Sequence, residues 1–271
     1  MLMMLTRLRI LLSVLIICLL AACKEEHIKQ IPISDFFKTA EKSFFRLSPD
    51  GKYVSYLKPY QGRQNLFIQS LEDGKEQMAT SFEDYSVRNY SWTYNNQIVV
   101  IQDVISLDQY KMYALDVPEL KLREILTVPK GRINILNNRN KGEPDVVTIG
   151  MNKRDPANFD IYQLNVKTGQ LKPYLINPGN ITEWFTDDDG KIRLVKSSDG
   201  VDETILYRAN DNVPFKPIIK NNFVNRVQPI AFTGKKSNFY ALSNVDRDKS
   251  ALVEIDAQTG KEQNVVFSCD K

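Results

Sequence analysis

From Phe45 onward, apolar and polar residues alternate in runs of only a few residues, rich in Val, Ile, Phe and Tyr and broken by Asp-Gly and Thr-Gly turns. A period of two sends successive side chains to opposite sides of an extended chain, so these runs predict short β-strands. The first set covers residues 45–48, 53–57, 65–69 and 76–79, with turns at Pro49-Asp50-Gly51-Lys52 and Glu72-Asp73-Gly74-Lys75. Asp-Gly supplies the positive φ that a tight antiparallel connection needs. No long helical periodicity appears in this region. Upstream of it, Ser34 is expected to N-cap a short helix carrying Asp35, Phe36, Phe37 and Lys38 to about Glu41.

The same order of four strands recurs at 90–93, 97–102, 110–115 and 124–127, then at 133–136, 145–150, 160–164 and 172–175. It recurs twice more, at 183–186, 192–196, 204–208 and 215–219, and at 229–232, 238–242, 251–256 and 264–267. Apolar residues at equivalent places in the third strands, Phe67, Met112, Ile161, Leu206 and Leu252, lie 45–49 residues apart. That is the period of propeller blades, in which each small sheet buries both faces against its neighbours. The predicted fold is therefore all-β: an incomplete β-propeller of about five four-stranded blades filling 44–271, with blades at about 44–80, 88–128, 132–177, 181–220 and 227–268. A β-sandwich of accidental regularity is the alternative. Trp92 and Trp184 fall on first strands of two blades and are expected in the core, with ligand stacking as the alternative.

The N-terminus adds a location. Arg7 and Arg9 precede an apolar run at 10–20 and then Leu20-Ala21-Ala22-Cys23. A positive flank, a short apolar stretch and small residues before a cysteine read as a lipoprotein signal peptide at 1–22, with an uncleaved anchor helix as the alternative. Cys23 is the expected lipidation site, and 23–43 a tether with the short helix. Each buried methylene of an acyl chain contributes roughly 0.8 kcal/mol, so a multiply acylated Cys23 would hold the chain on a membrane. The expected partner is thus the membrane of a bacterial envelope, its outer membrane, held through lipidated Cys23; the following Lys24-Glu25-Glu26 resembles a surface-sorting tag and reads equally as a solvated tether.

Composition removes other classes. With 271 residues, 42% hydrophobic and 25% charged, the chain has material for a sizeable core. Loss of Arg7 and Arg9 would leave 34 basic against 33 acidic residues, scattered in sign, so no nucleic-acid footprint is expected. Of the three cysteines, Cys18 would leave with the leader and Cys23 would be modified, so Cys269 alone cannot build a disulfide framework. No cofactor and no metal site is expected. Asp187-Asp188-Asp189-Gly190 lacks the spaced ligands of a calcium loop and reads as a turn.

Ile31-Pro32-Ile33-Ser34-Asp35-Phe36-Phe37, Glu41-Lys42-Ser43 and Leu47-Ser48-Pro49-Asp50-Gly51-Lys52-Tyr53-Val54-Ser55-Tyr56-Leu57 resemble the propeller opening of bacterial prolyl oligopeptidase family serine peptidases, the acylaminoacyl-peptidase and dipeptidyl-peptidase relatives. The likeness continues through Asn65-Leu66-Phe67-Ile68 and Tyr90-Ser91-Trp92. It implies seven or eight blades followed by an α/β-hydrolase domain with a Ser, Asp and His triad, the propeller restricting access to short peptides. These residues contain no Gly-x-Ser-x-Gly elbow, and the one histidine is His27 in the tether. With no imidazole to activate a serine, no catalytic residue is expected here. The expected function is a non-catalytic, peptide-gating propeller portion, with peptide as partner when joined to a hydrolase. The alternative is an envelope scaffold propeller that binds protein or glycan.

Overall fold

The computed structural model describes residues 30–38, 40–234 and 237–269. The leader, Cys23 and His27 lie outside the described residues. The chain divides after Ala40 into two compact units. In the first, helix α1 (Ile33–Phe36) is a single turn whose N-cap is Pro32, at φ −57°, with no side-chain cap. Ser34 is therefore inside the helix rather than capping it. Proline's fixed φ suits the chain for helix entry one residue ahead of Ile33, and this wins over the Ser34 hydroxyl.

The second unit is five four-stranded antiparallel sheets, each a simple meander in chain order, as the alternation and period predict. Blade 1 holds β1 (Ser43–Leu47), β2 (Tyr53–Tyr60), β3 (Arg63–Ser70) and β4 (Glu76–Met78); blade 2 holds β5 (Val87–Trp92), β6 (Ile98–Val104), β7 (Gln109–Asp116) and β8 (Lys121–Pro129). Blade 3 holds β9 (Ile133–Asn137), β10 (Val146–Asp155), β11 (Asn158–Asn165) and β12 (Leu171–Leu175). Blade 4 holds β13 (Ile181–Thr186), β14 (Ile192–Ser198), β15 (Glu203–Tyr207) and β16 (Lys216–Asn221); blade 5 holds β17 (Val227–Phe232), β18 (Asn238–Ser243), β19 (Ala251–Asp256) and β20 (Glu262–Phe267).

Turn chemistry brings the blades together. Gly260 (φ +71°) sits in the turn between β19 and β20, where an added Cβ would lie 2.3 Å from the Ile218 carbonyl of blade 4. Only glycine allows both that φ and that approach. First strands are tied across the seams by polar side chains: Asn138 donates to Ser91 at 2.7 Å, Asn137 to Thr186 at 3.1 Å, and Gln228 to Glu183 at 2.9 Å.

Packing between blades supplies the core. At the seam between blades 2 and 3, Val99, Ile101, Met112 and Val128 meet Ile133, Val147, Ile149, Met151 and Leu164, all buried. Leu57, Leu66 and Ile68 close similarly on Tyr90, Trp92 and Ile98 between blades 1 and 2, and Ile205 and Tyr207 on Phe239, Val253 and Ile255 between blades 4 and 5. The seam between blades 3 and 4 differs: only Ile161, Ile192 and Val195 are fully buried in its cluster. One refinement concerns the periodic residues. Met112 faces blade 3 and Ile161 faces blade 4, but Leu206 turns back toward blade 3, and Phe67 stacks with Tyr56 away from blade 2. They share a strand position without sharing a face.

The outer sides of the terminal blades contrast. On blade 1, the Phe45, Tyr56 and Phe67 rings pack together, and Lys42 and Lys58 lie over the Tyr56 and Phe67 rings at 4.3 and 5.1 Å. Both lysines reach Glu76, at 2.9 and 2.8 Å, and the Tyr56 hydroxyl also donates to it. This charged roof leaves Tyr56 with no exposed surface. Hydrogen bonds from Lys58, Tyr56 and Lys42, in that order of effect, pull Glu76 down to about 2. The outer side of blade 5 instead leaves Leu242 and Phe267 45% and 65% exposed, beside Glu254, which accepts from Asn238 and Asn264 at 2.7 and 3.2 Å.

Candidate functional site

Strand β10 of blade 3 carries its large apolar residues on one side. Along β10, Val147, Ile149 and Met151 are buried toward blade 2, whereas the alternate positions are Thr148, Gly150 and Asn152. Small and polar residues on the side facing blade 4 leave space there. A cleft of about 660 Å³ opens in it, lined by Leu136, Gly150, Phe159, Ile161, Ile181 and Trp184 below and by Asn134, Asn180, Thr182, Glu183 and Ser198 at its polar edge. A second cavity of about 350 Å³ shares Asn180, Ile181 and Trp184, and is otherwise lined by Leu175, Ile176, Pro178, Val195, Ser197, Leu206 and Phe215. Trp184 is thus a half-buried wall common to both cavities. Trp92, by contrast, is core as expected, 2% exposed with its indole N–H donating to Ser55 at 2.8 Å.

The loops around the cleft are held by side chains acting on backbone. Asn177 accepts from the Gly179 and Ile181 N–H groups at 2.9 and 3.1 Å and donates to the Ile181 carbonyl at 2.8 Å, which fixes the link between β12 and β13 and sets Asn180 at the rim. Asp160, fully buried, takes a two-pronged contact from Arg154 at 2.7 and 2.8 Å and the Asn177 N–H at 2.8 Å. The Arg154 guanidinium holds the Asp160 carboxyl below the ordinary carboxylate range. In the opposing hairpin, Asp199 accepts from the Val201 and Asp202 N–H groups at 2.9 and 2.8 Å.

The site has little free charge. Glu183 is bound by Lys196, only 8% exposed in its side chain, which also meets Glu203 at 3.2 Å; Gln228 donates to the other Glu183 oxygen. Burial alone would lower Lys196, but the hydrogen bonds with Glu183 and Glu203 outweigh it and hold it above the ordinary lysine value. The Asn134 and Asn180 side-chain amides and the Trp184 indole N–H, in contrast, have no hydrogen-bond partner among the described residues. Apart from Trp184, these cleft residues escaped the sequence reading; the other signal was Gly150 in a strand interior, where glycine marks space or close approach.

Other expected features take plain structural roles. Asp187 accepts from the Asp189 and Lys191 N–H groups at 3.0 and 2.9 Å and from Arg193 at 3.0 Å, so its carboxylate organises a turn. Cys269 is exposed.

The fold is that of an incomplete β-propeller. The chain superposes on the β-propeller domain of the Trilobed protease from Pyrococcus furiosus with a TM-score of 0.58 and 13% identity, over 84% of this chain and 72% of that one. In sequence it is 24% identical over 235 residues to dipeptidyl aminopeptidase BIII of Pseudoxanthomonas mexicana, covering 83% of this chain and 33% of that protein. It is 24% identical over 258 residues to dipeptidyl peptidase family member 6 of Caenorhabditis elegans, covering 89% and 35%. The chain therefore spans about a third of the length of the curated relatives it matches. No protein-family model matches the sequence. The likeness read from the sequence is borne out: the chain is similar to the propeller portion of prolyl oligopeptidase family peptidases.

Proposed function

We propose that the chain is the non-catalytic propeller portion of a prolyl oligopeptidase-like serine peptidase, selecting short peptides for a hydrolase domain. The observation that carries this reading is the match of 83% and 89% of the chain to two proteins named as dipeptidyl peptidases. The exposed Leu242 and Phe267 on the outer side of blade 5 support it, because large apolar side chains there suit packing against a further blade. Screening in such an arrangement is steric: a peptide must pass between rigid blades before it reaches the nucleophile, so length and bulk decide entry.

The test is to read the coding sequence downstream of the Lys271 codon. Further blades and a Gly-x-Ser-x-Gly domain are expected there; an unrelated gene after a clean stop would overturn the reading. The chain itself should take no label from a fluorophosphonate, since an acyl-enzyme needs an activated nucleophile. We also propose that Cys23 is lipidated and holds the protein on the bacterial envelope. Cys23→Ser is expected to move it from the membrane to the soluble fraction, and unchanged partitioning would refute the anchor.

A further inference from the structure

The cleft between blades 3 and 4 has a chemistry of its own. Its two compartments differ: one has a rim of carboxamides and hydroxyls, and the other is walled almost wholly by Leu175, Ile176, Pro178, Val195, Leu206 and Phe215. Of the rim groups, Thr182 and Ser198 are engaged, donating to the Lys196 carbonyl and accepting from the Gly200 N–H. The Asn134 and Asn180 carboxamides and the Trp184 N–H remain for an occupant. Glu183 is already neutralised by Lys196.

We infer that this cleft binds a peptide segment with a bulky apolar side chain. The side chain enters the apolar compartment across the Trp184 ring, and the uncharged peptide backbone lies against Asn134 and Asn180. A carboxamide offers both a donor and an acceptor, which matches the paired N–H and C=O of a peptide unit. With Glu183 paired to Lys196, nothing at the rim repays the desolvation of a charged ligand. A saccharide would satisfy the amides and stack on Trp184, but in the second compartment its hydroxyls would meet mainly apolar walls, the Ser197 hydroxyl there already donating to the Thr204 carbonyl. The inference goes beyond steric selection, for here the propeller itself holds the peptide.

Fluorine NMR of the full chain labelled with fluorotryptophan separates the two tryptophans, with Trp184→Phe assigning the signals. Titration with N-acetyl-Leu-Phe-amide is expected to move the Trp184 resonance saturably while buried Trp92 stays in place. N-acetyl-Gly-Gly-amide and chitobiose should move neither. Asn180→Ala, at an exposed side chain without a protein partner, should weaken binding about tenfold, the scale of one lost hydrogen bond. A silent Trp184, an equal response to the diglycine or the disaccharide, or undiminished binding by Asn180→Ala would overturn the inference. Steric selection for a hydrolase is decided separately, by the downstream coding sequence, so the two failures are distinguishable.

Discussion

Blades 2 and 3 meet along a seam filled from both sides, whereas blades 3 and 4, joined by the same kind of repeat, meet around a cleft. In the first seam, Met112 and Val99 of one blade close on Ile149 and Met151 of the next. In the second, blade 3 offers Thr148 and Gly150 where it offered Val147 and Ile149 to blade 2. The repeat thus fixes strand order and spacing, and leaves each seam to be closed or opened by the residues on one face of one strand. A propeller can be stabilised at most seams and kept receptive at another.

The largest effect that would break this contrast is at the filled seam. Met112→Ala should cost about 3 kcal/mol, because a fully buried side chain is removed from a lining that cannot collapse. Urea unfolding measures it. Leu206→Ala, in a wall already bordering a cavity, should cost about 1 kcal/mol by the same measurement, since little new void is made. Equal losses would show the two seams to be equally packed in solution.

The smallest effect sharpens the comparison between the ends of the blade series. Glu76 lies well below its ordinary value of 4.5, at about 2, so the unfolded chain binds more protons between those limits. The stability it contributes is complete above about 4.5 and is lost as pH falls toward about 2. Glu76→Gln is expected to flatten that part of the acid-unfolding profile; an unchanged slope would assign it to other carboxylates.

How much of this was written in the sequence depends on how local the cause is. Strands such as Tyr53–Tyr60 and turns such as Asp73-Gly74 were legible because alternation and positive φ are properties of a few neighbouring residues. Face was not. Runs such as Leu66-Phe67-Ile68 and Ile205-Leu206-Tyr207 are apolar on both sides, so the sequence shows no phase, and Phe67 and Leu206 point opposite to Met112 and Ile161. The start of α1 was misplaced because Ser34 and Pro32 compete for the same helix entry. The cleft was hidden for a different reason: a void arises between two segments, and each side gave a single hint, Gly150 on one and Trp184 on the other.

The roof over blade 1 bears on the order in which the protein comes into being. Of the described blades, synthesis delivers blade 1 before blade 2, its last strand ending at Met78. Its Tyr56 and Phe67 side already wears two lysines and a glutamate, while its Leu57, Leu66 and Ile68 side stays bare. The nascent blade therefore has one wettable wall and one adhesive wall. The next blade has a single surface to land on, which gives assembly a direction from the ribosome outward.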